Sequence, residues 1–145
     1  MTQPISCDHL LLSVPQIDNQ HRMLIALVNE FSAAVDAGAS RAELELRVTQ
    51  LIEAFRLHFG SEESLMQSSS FPGLTLHADE HRKLIAQMTG LRAGLGSGDV
   101  MLCGALALFV RLWTEQHIAG PDRTFAQFLG DGKAGCASGL FSVGH

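Results

Sequence analysis

Apolar residues recur every three or four positions along most of the chain, a spacing that predicts amphipathic α-helices. The stripe of the first segment is Ile17, His21, Leu24, Val28, Phe31 and Val35. The next three stripes are Leu44, Val48, Leu51, Phe55, His58 and Glu62; His77, His81, Leu84, Met88, Leu91 and Leu95; and Leu102, Leu106, Val110, Trp113 and His117. Because short loops make neighbouring helices antiparallel, the sequence predicts an all-α, up-down-up-down four-helix bundle.

Turn residues and caps set the expected ends of these helices. Gly38 stops the first helix, and Ser40 with Glu43 forms a capping box at the start of the second. Asp99 is the expected N-cap of the fourth, which ends or kinks at Pro121. The predicted helices cover residues 18–37, 40–67, 74–95 and 99–120, with a short helical piece to 129. We therefore divide the chain into an N-terminal arm (1–17), the bundle (18–129) and a flexible Gly-rich C-terminal tail (130–145).

Composition narrows the possible functions. The chain has 145 residues, 46% of them hydrophobic, which suits one domain with a substantial core. Its formal net charge of −5, without a basic cluster, disfavours a nucleic-acid partner. No apolar run approaches the roughly 20 residues of a membrane span. Cys7, Cys103 and Cys136 are widely spaced and odd in number, so we expect no disulfide scaffold and a reducing, cytoplasmic location.

Polar residues interrupt the apolar stripes at one end of the predicted bundle. In an antiparallel bundle, the starts of helices one and three lie beside the ends of helices two and four. The polar stripe residues at those places are His21, His58, Glu62, His77, His81 and His117. Buried polar groups without partners cost several kcal/mol each, and imidazole and carboxylate are both common metal ligands. One such histidine alone fits a hydrogen-bonded core residue, but the convergence of all six predicts a metal site.

The order and spacing of these residues resemble the signature of the hemerythrin family. That signature is a lone His21, then HxxxE at His58–Glu62, HxxxH at His77–His81 and HxxxxD at His117–Asp122, and the resemblance covers about residues 17–129. It implies a non-haem di-iron site bridged by an oxo or hydroxo group. His77, His81 and His117 would bind one iron, His21 and His58 the other, while Glu62 and Asp122 bridge both. Dioxygen would bind at the open position of the five-coordinate iron.

The resemblance also implies an oxygen pocket, formed by Leu24, Phe59, Trp113 and Thr114. Thr114 departs from the leucine that is common at this position in relatives. Its hydroxyl either bonds back to the carbonyl of Val110 or makes the pocket smaller-walled and more polar. Five carboxylates flank the ligands and fit either a solvated helix surface, which we favour, or partners that orient the imidazoles. They are Asp18, Glu63, Asp79, Glu80 and Glu115.

These features predict reversible dioxygen binding, as a sensor, carrier or local store, rather than an enzyme. A di-iron oxidase or peroxide-reducing protein is the first alternative, but no Glu in the chain has a His three residues on, as ferritin-like enzymes do. A zinc-stabilised interaction module is the second, but seven ligands are too many for one zinc ion. A signalling domain or a redox partner is the expected protein partner.

Overall fold

The fold is described from a computed structural model that covers residues 4–6, 10–96 and 102–139, with side chains up to residue 131 in the last range. Its α-helices are α1 (Pro15–Asp36), α2 (Arg41–Ser68), α3 (Leu74–Gly96), α4 (Leu102–His117) and α5 (Arg123–Gly139). A π-helical turn, Ile118–Asp122, joins α4 to α5. Helix α1 packs against α2 and α4, and α3 packs against the same two helices. No strand occurs in the described ranges, and the predicted all-α four-helix bundle is confirmed.

Two predicted boundaries differ from the structure. Helix α1 begins at Pro15, three residues before the predicted start, because the first-turn N–H that proline lacks has no partner inside the helix anyway. The region predicted to be a tail is helical over 130–139, since α5 continues to Gly139. Glycine lowers helix propensity by about 1 kcal/mol per residue but does not forbid a helix. Residues 140–145 and the expected cap Asp99 lie outside the described residues.

The predicted stop and start between α1 and α2 are present. Gly38 has a φ of +71°, the left-handed conformation that ends a helix at little cost for glycine. The Ser40 hydroxyl accepts a hydrogen bond from the Glu43 N–H at 3.2 Å, as an N-cap does. Only this half of the predicted capping box is observed, since the Glu43 carboxylate binds Arg47 at 3.1 Å instead of the Ser40 N–H. The α1–α2 connection is therefore fixed at both ends, and it sets the register in which the two helices face each other.

The N-terminal arm packs against α1. Ile5 exchanges two hydrogen bonds with the side chain of Asn29, at 2.8 and 3.1 Å. The backbone N–H of Leu12 donates to Asp18 Oδ1 at 2.8 Å, which secures the arm close to the start of α1. Ile5, Leu10 and Leu12 are buried in the same core as the helices. The arm therefore lies along α1 from Asp18 to Asn29 and adds three apolar side chains to the core of the bundle.

The interior divides into an apolar part and a polar end. The fully buried apolar side chains include Phe31, Leu51, Leu84, Met88 and Leu106. The buried polar side chains of the stripes lie at the start of α1 and α3 and near the end of α2 and α4, as predicted. None of the helices in the described ranges is long and apolar enough to cross a membrane.

Candidate metal centre

Seven polar side chains from four helices and the π-helical turn are buried at the polar end, and none is more than 5% exposed. They are His21, His58, Glu62, His77, His81, His117 and Asp122. The helical register explains the burial, since six of them occupy stripe positions where the pattern otherwise has leucine or valine. The structure thus brings together all seven residues that the sequence analysis expects to be metal ligands.

Five of these residues form one group of possible metal donors. Single donor atoms of Glu62, His77, His81, His117 and Asp122 all lie within 4.8 Å of one another. Nε2 of His117 is 2.9 Å from Nε2 of His77 and 3.1 Å from Nε2 of His81. Three imidazole nitrogens therefore face a common point between α3 and α4.

A second group of four donors overlaps the first. It contains His21, His58, Glu62 and Asp122, again with donor atoms within 4.8 Å of one another. Nε2 of His21 lies 3.0 Å from Oδ2 of Asp122, and Nε2 of His58 lies 3.7 Å from Oε2 of Glu62. Since Glu62 and Asp122 belong to both groups, their carboxylates lie between the two sets of histidines.

The π-helical turn explains how Asp122 reaches the cluster. Residues five apart diverge by about 140° around an α-helix, whereas a π-helix, which bonds each residue to the fifth one along, brings the two much closer to the same side. Pro121 lacks the N–H that would donate to the carbonyl of His117 in an α-helix, which favours the wider turn. As a result, Oδ1 of Asp122 lies 3.0 Å from Nε2 of His117.

Three of the imidazoles are held from outside the cluster through Nδ1. Gln20 Oε1 lies 2.7 Å from Nδ1 of His58, and Glu63 Oε2 lies 2.7 Å from Nδ1 of His81. A carboxylate or amide oxygen only accepts, so each Nδ1 carries the hydrogen and each Nε2 presents a lone pair to the centre. This arrangement orients an imidazole as a metal ligand.

The expectation that the flanking carboxylates form a solvated surface is wrong for three of them, one being Asp18, which is 7% exposed and accepts the N–H of Leu12. Glu63 bonds to His81, and Glu80 Oε1 lies 3.2 Å from Nδ1 of His117. Asp79 pairs with Arg82 at the surface. The sequence analysis offered Glu63 and Glu80 as possible partners of the imidazoles without favouring that role, and it missed Gln20, because a stripe assigns a helix face but not how far a long side chain extends.

The chemistry of these donor atoms suits bound cations. His81 and His117, whose Nδ1–H groups are bound from outside, present their Nε2 lone pairs to each other at 3.1 Å, an arrangement that is unfavourable unless a positive charge lies between them. Oε2 of Glu62 is buried without a hydrogen-bond partner, and so is Nδ1 of His21. Buried polar groups are otherwise almost always paired, so these atoms fit ligands of a metal.

In the protein without metal, the pKa values of the cluster residues also indicate that this site favours a positive charge. Burial lowers the pKa of His58 to about 4, which keeps its imidazole neutral. Burial also opposes protonation of His77, but hydrogen bonds with Asp122 and Glu62 outweigh it and raise the pKa of His77 to about 9. Although burial opposes ionisation of Asp122, hydrogen bonds with His117, His21 and His77 hold its pKa well below the ordinary value. A proton on His77 therefore supplies part of the charge that a cation would supply.

The family comparison agrees with this geometry. The family described as Hemerythrin HHE cation binding domain matches residues 12–129. The chain belongs to the hemerythrin family. A bacteriohemerythrin of Methylococcus capsulatus is 29% identical over 112 residues, covering 77% of this chain and 85% of the relative. A myohemerythrin of Sipunculus nudus is 31% identical over 102 residues, covering 70% of this chain and 73% of the relative.

Solved structures of hemerythrins have the same fold. Two are of mutant proteins in which a leucine is replaced by alanine or by tyrosine. Each aligns with a TM-score of 0.77 at 27% identity, covering 88% of this chain and 95% of that chain. The match extends over almost the whole length of those structures, so the bundle described above is the hemerythrin fold.

In this hemerythrin, two of the predicted pocket residues contact the histidines directly. The Phe59 ring stacks on His81 with centroids 3.7 Å apart, and Trp113 stacks on His117 at 4.3 Å. The Phe59 and Trp113 rings meet each other edge-on at 5.8 Å. Leu24 is buried on the other side, where it lines a cleft together with His58. Aromatic rings thus cover the five-donor group, and aliphatic side chains border the four-donor group.

Thr114, the fourth predicted pocket residue, is buried and its hydroxyl is engaged. Thr114 Oγ1 donates to the carbonyl of Val110 at 2.7 Å. This confirms the first of the two alternatives, in which the hydroxyl bonds back along its own helix. The hydroxyl hydrogen of Thr114 therefore points at the backbone of α4.

Proposed function

We propose that the two overlapping donor groups hold two iron ions. His77, His81 and His117 would bind one ion, and His21 and His58 the other. Glu62 and Asp122 would bridge the two together with an oxo or hydroxo group. The observation that carries this proposal is that both donor groups contain the same two carboxylates, Glu62 and Asp122. Carboxylates suit iron, and two oxygens on each allow it to serve both ions.

We further propose that the protein binds dioxygen reversibly. Iron held by these residues would supply the electrons that dioxygen takes up on binding and gives back on leaving. The four-donor group offers one residue fewer than the five-donor group, so an ion held there would keep an open coordination position, and an open position distinguishes a reactive metal site from a structural one. Five histidines among seven donors favour binding of dioxygen over its activation in an oxidase or peroxide-reducing enzyme.

The surrounding residues have two tasks in this function. Gln20, Glu63 and Glu80 hold the Nδ1–H of three imidazoles, so that each Nε2 stays aimed at the centre. Phe59 and Trp113 stack on His81 and His117, which limits the access of water to the five-donor group. We infer a role as an oxygen sensor, carrier or store in the cytoplasm, with a signalling domain or a redox partner as protein partner.

Iron analysis and visible spectroscopy test the proposal. Protein loaded anaerobically with Fe(II) should contain two iron ions per chain and acquire a new visible absorption band in air, which disappears on removal of oxygen. One iron or fewer per folded chain would contradict the di-iron site. Two irons with no reversible band, but with steady consumption of peroxide or oxygen, would instead favour the redox enzyme.

A further inference from the structure

Gln20 connects two residues of α2 through the two ends of its side-chain amide. Its Oε1 lies 2.7 Å from Nδ1 of His58, and its Nε2 donates to Oγ of Ser61 at 3.1 Å. His58 and Ser61 are three residues apart, so their side chains leave the same side of α2. Gln20 also directly precedes His21 in α1, so the connection joins the two helices that supply the histidines of the four-donor group.

An amide, unlike a carboxylate, does not by itself determine which nitrogen of an imidazole carries the hydrogen. The carboxylates of Glu63 and Glu80 offer only acceptors to the imidazoles that they hold. If the amide of Gln20 turned over, it would present its NH2 group to His58, and Nδ1 would become the acceptor. The hydrogen of the neutral ring would then lie on Nε2, the nitrogen on the side of Glu62.

The carboxylate on the inner side of His58 favours that second tautomer. Oε2 of Glu62 is 3.7 Å from Nε2 of His58 and is buried without a hydrogen-bond partner. A buried carboxylate oxygen without a donor gains free energy from an N–H directed at it. The contact that opposes this attraction and keeps the hydrogen on Nδ1 lies on the outer side of the ring, at the amide of Gln20.

Ser61 provides an acceptor that fixes the orientation of this amide. Its Oγ lies within hydrogen-bond distance of two amide nitrogens, Nε2 of Gln20 at 3.1 Å and Nε2 of Gln16 at 3.4 Å. Since an amide nitrogen only donates, the hydroxyl oxygen is the acceptor in both contacts. A turned Gln20 amide would bring its own oxygen against Oγ and would lose this hydrogen bond. The observed orientation is therefore the one in which both ends of the amide are paired.

We infer that Ser61 is a positioning residue for the metal centre, because by holding the Gln20 amide it keeps His58 in the tautomer whose Nε2 lone pair can bind a metal ion. The inference rests on the proposed metal site for the role of that lone pair. It also distinguishes the two donor groups. Carboxylates orient His81 and His117 in the five-donor group, whereas His58 depends on a neutral amide and on a second residue behind it.

NMR of the metal-free protein tests the tautomer without any iron. The nitrogen chemical shifts of the imidazole show which nitrogen carries the hydrogen, and in the unaltered protein this should be Nδ1 of His58. Ser61→Ala should lower the ratio of the Nδ1–H form to the Nε2–H form about fivefold, the size expected for one neutral hydrogen bond. Ser61→Thr, which keeps the hydroxyl, should restore the ratio. Ser64→Ala, at an exposed serine of α2 on the side of α3, should not change it.

A chelator competition connects the tautomer to metal binding. In the iron-loaded protein, Ser61→Ala should weaken the binding of one ion about fivefold and leave the other unchanged, because only the four-donor group contains His58. Gln20→Glu removes the need for Ser61, since a carboxylate only accepts. Adding Ser61→Ala to Gln20→Glu should therefore change neither the tautomer nor the affinity any further. A contact that merely joins α1 to α2 would not produce this difference.

Two results would overturn the inference. One is a tautomer ratio in Ser61→Ala equal to that in Ser64→Ala, because Ser61 would then act only as a contact between helices, whatever its effect on unfolding in urea. The other is an equal loss of affinity from Ser61→Ala with and without Gln20→Glu. A protein that shows the expected tautomers but never holds two metal ions would contradict the proposed function and leave the control of the His58 tautomer by Ser61 in place.

Discussion

Oε2 of Glu63 lies 2.7 Å from Nδ1 of His81, although Glu63 directly follows Glu62, the carboxylate that both donor groups share. The two neighbours on α2 serve the same centre from opposite sides. Glu62 is 1% exposed and faces the donors, whereas the side chain of Glu63 is 33% exposed and reaches the outer edge of the imidazole. One turn of α2 therefore supplies both a candidate ligand and the group that orients another.

Loss of the outer partner should weaken metal binding. Glu63→Ala removes the acceptor that holds the Nδ1–H tautomer of His81, and such losses typically lower metal affinity by about 10–100-fold. Competition with a chelator of known iron affinity measures the change. Asp79→Ala is the matched control, since that carboxylate pairs with Arg82 at the surface and should have no effect. Equal losses in both variants would show that Glu63 acts only through surface charge.

Loss of a shared carboxylate should reduce iron binding more than loss of Glu63 does. Glu62→Ala or Asp122→Ala should reduce iron occupancy at both positions, because each residue belongs to both donor groups. The fold should also lose stability, since buried histidines left without partners cost about 1–3 kcal/mol each. Elemental analysis and denaturant unfolding measure the two effects.

Glu53→Ala is the control for these variants, because Glu53 is an exposed carboxylate on α2 outside both donor groups. It should retain both iron ions and the stability of the original protein. If Glu62→Ala kept one iron at full occupancy, the carboxylate would serve a single ion and the bridging role would be wrong.

Helical periodicity was sufficient to predict six of the seven cluster residues. A stripe position in α1 to α4 determines which side of a helix faces the core, so His21, His58 and His81 could be placed together without coordinates. Asp122 was different, because the period changes in the π-helical turn and its place came only from the family resemblance. The signal that could have revealed it is Pro121, four residues after His117, where the helix must lose a backbone hydrogen bond.

The apolar stripes do not determine which residues bond to the outer nitrogens of the imidazoles. Glu80 lies on the adjacent side of α3 from His81, and its carboxylate crosses to His117 on α4. Whether a long side chain reaches a neighbouring helix depends on the distance and the relative rotation of the two helices. The sequence pattern of one helix does not determine either quantity. The same limit applies to α5, where local glycine content suggested a tail but the chain continues as a helix to Gly139.

Without metal, stability should fall as pH rises above neutrality. The pKa of His77 is raised from 6.5 to about 9 in the folded protein, so the folded state holds this proton more tightly than the unfolded state. Its contribution, at most about 3 kcal/mol, is fully present below pH 6.5 and is lost as pH rises through 9. Urea unfolding of the metal-free protein between these pH values measures the slope.

His77→Gln is the control for this titration, and its unfolding free energy should lack the decline over the same interval. The iron-loaded protein should also lack it, because a metal-bound imidazole has already released the proton. A decline of equal size in His77→Gln would assign the titration to another group.

The size of residue 114 should control how long the oxygenated form lasts. The Thr114 hydroxyl donates to the Val110 carbonyl, so the difference from a leucine at this buried position is chiefly one of volume. A larger side chain leaves less room for water, and exclusion of water suppresses loss of the bound oxygen. Thr114→Leu should therefore slow the decay of the oxygenated visible spectrum by about fivefold, or about 1 kcal/mol in the barrier. Thr114→Val, which keeps the volume and removes the hydroxyl, should decay as the original protein does when both are followed at several pH values. A slow decay in Thr114→Val would show that the hydroxyl, and not the volume of the side chain, promotes loss of the bound oxygen. An unchanged or faster decay in Thr114→Leu would show that this side chain does not control the entry of water.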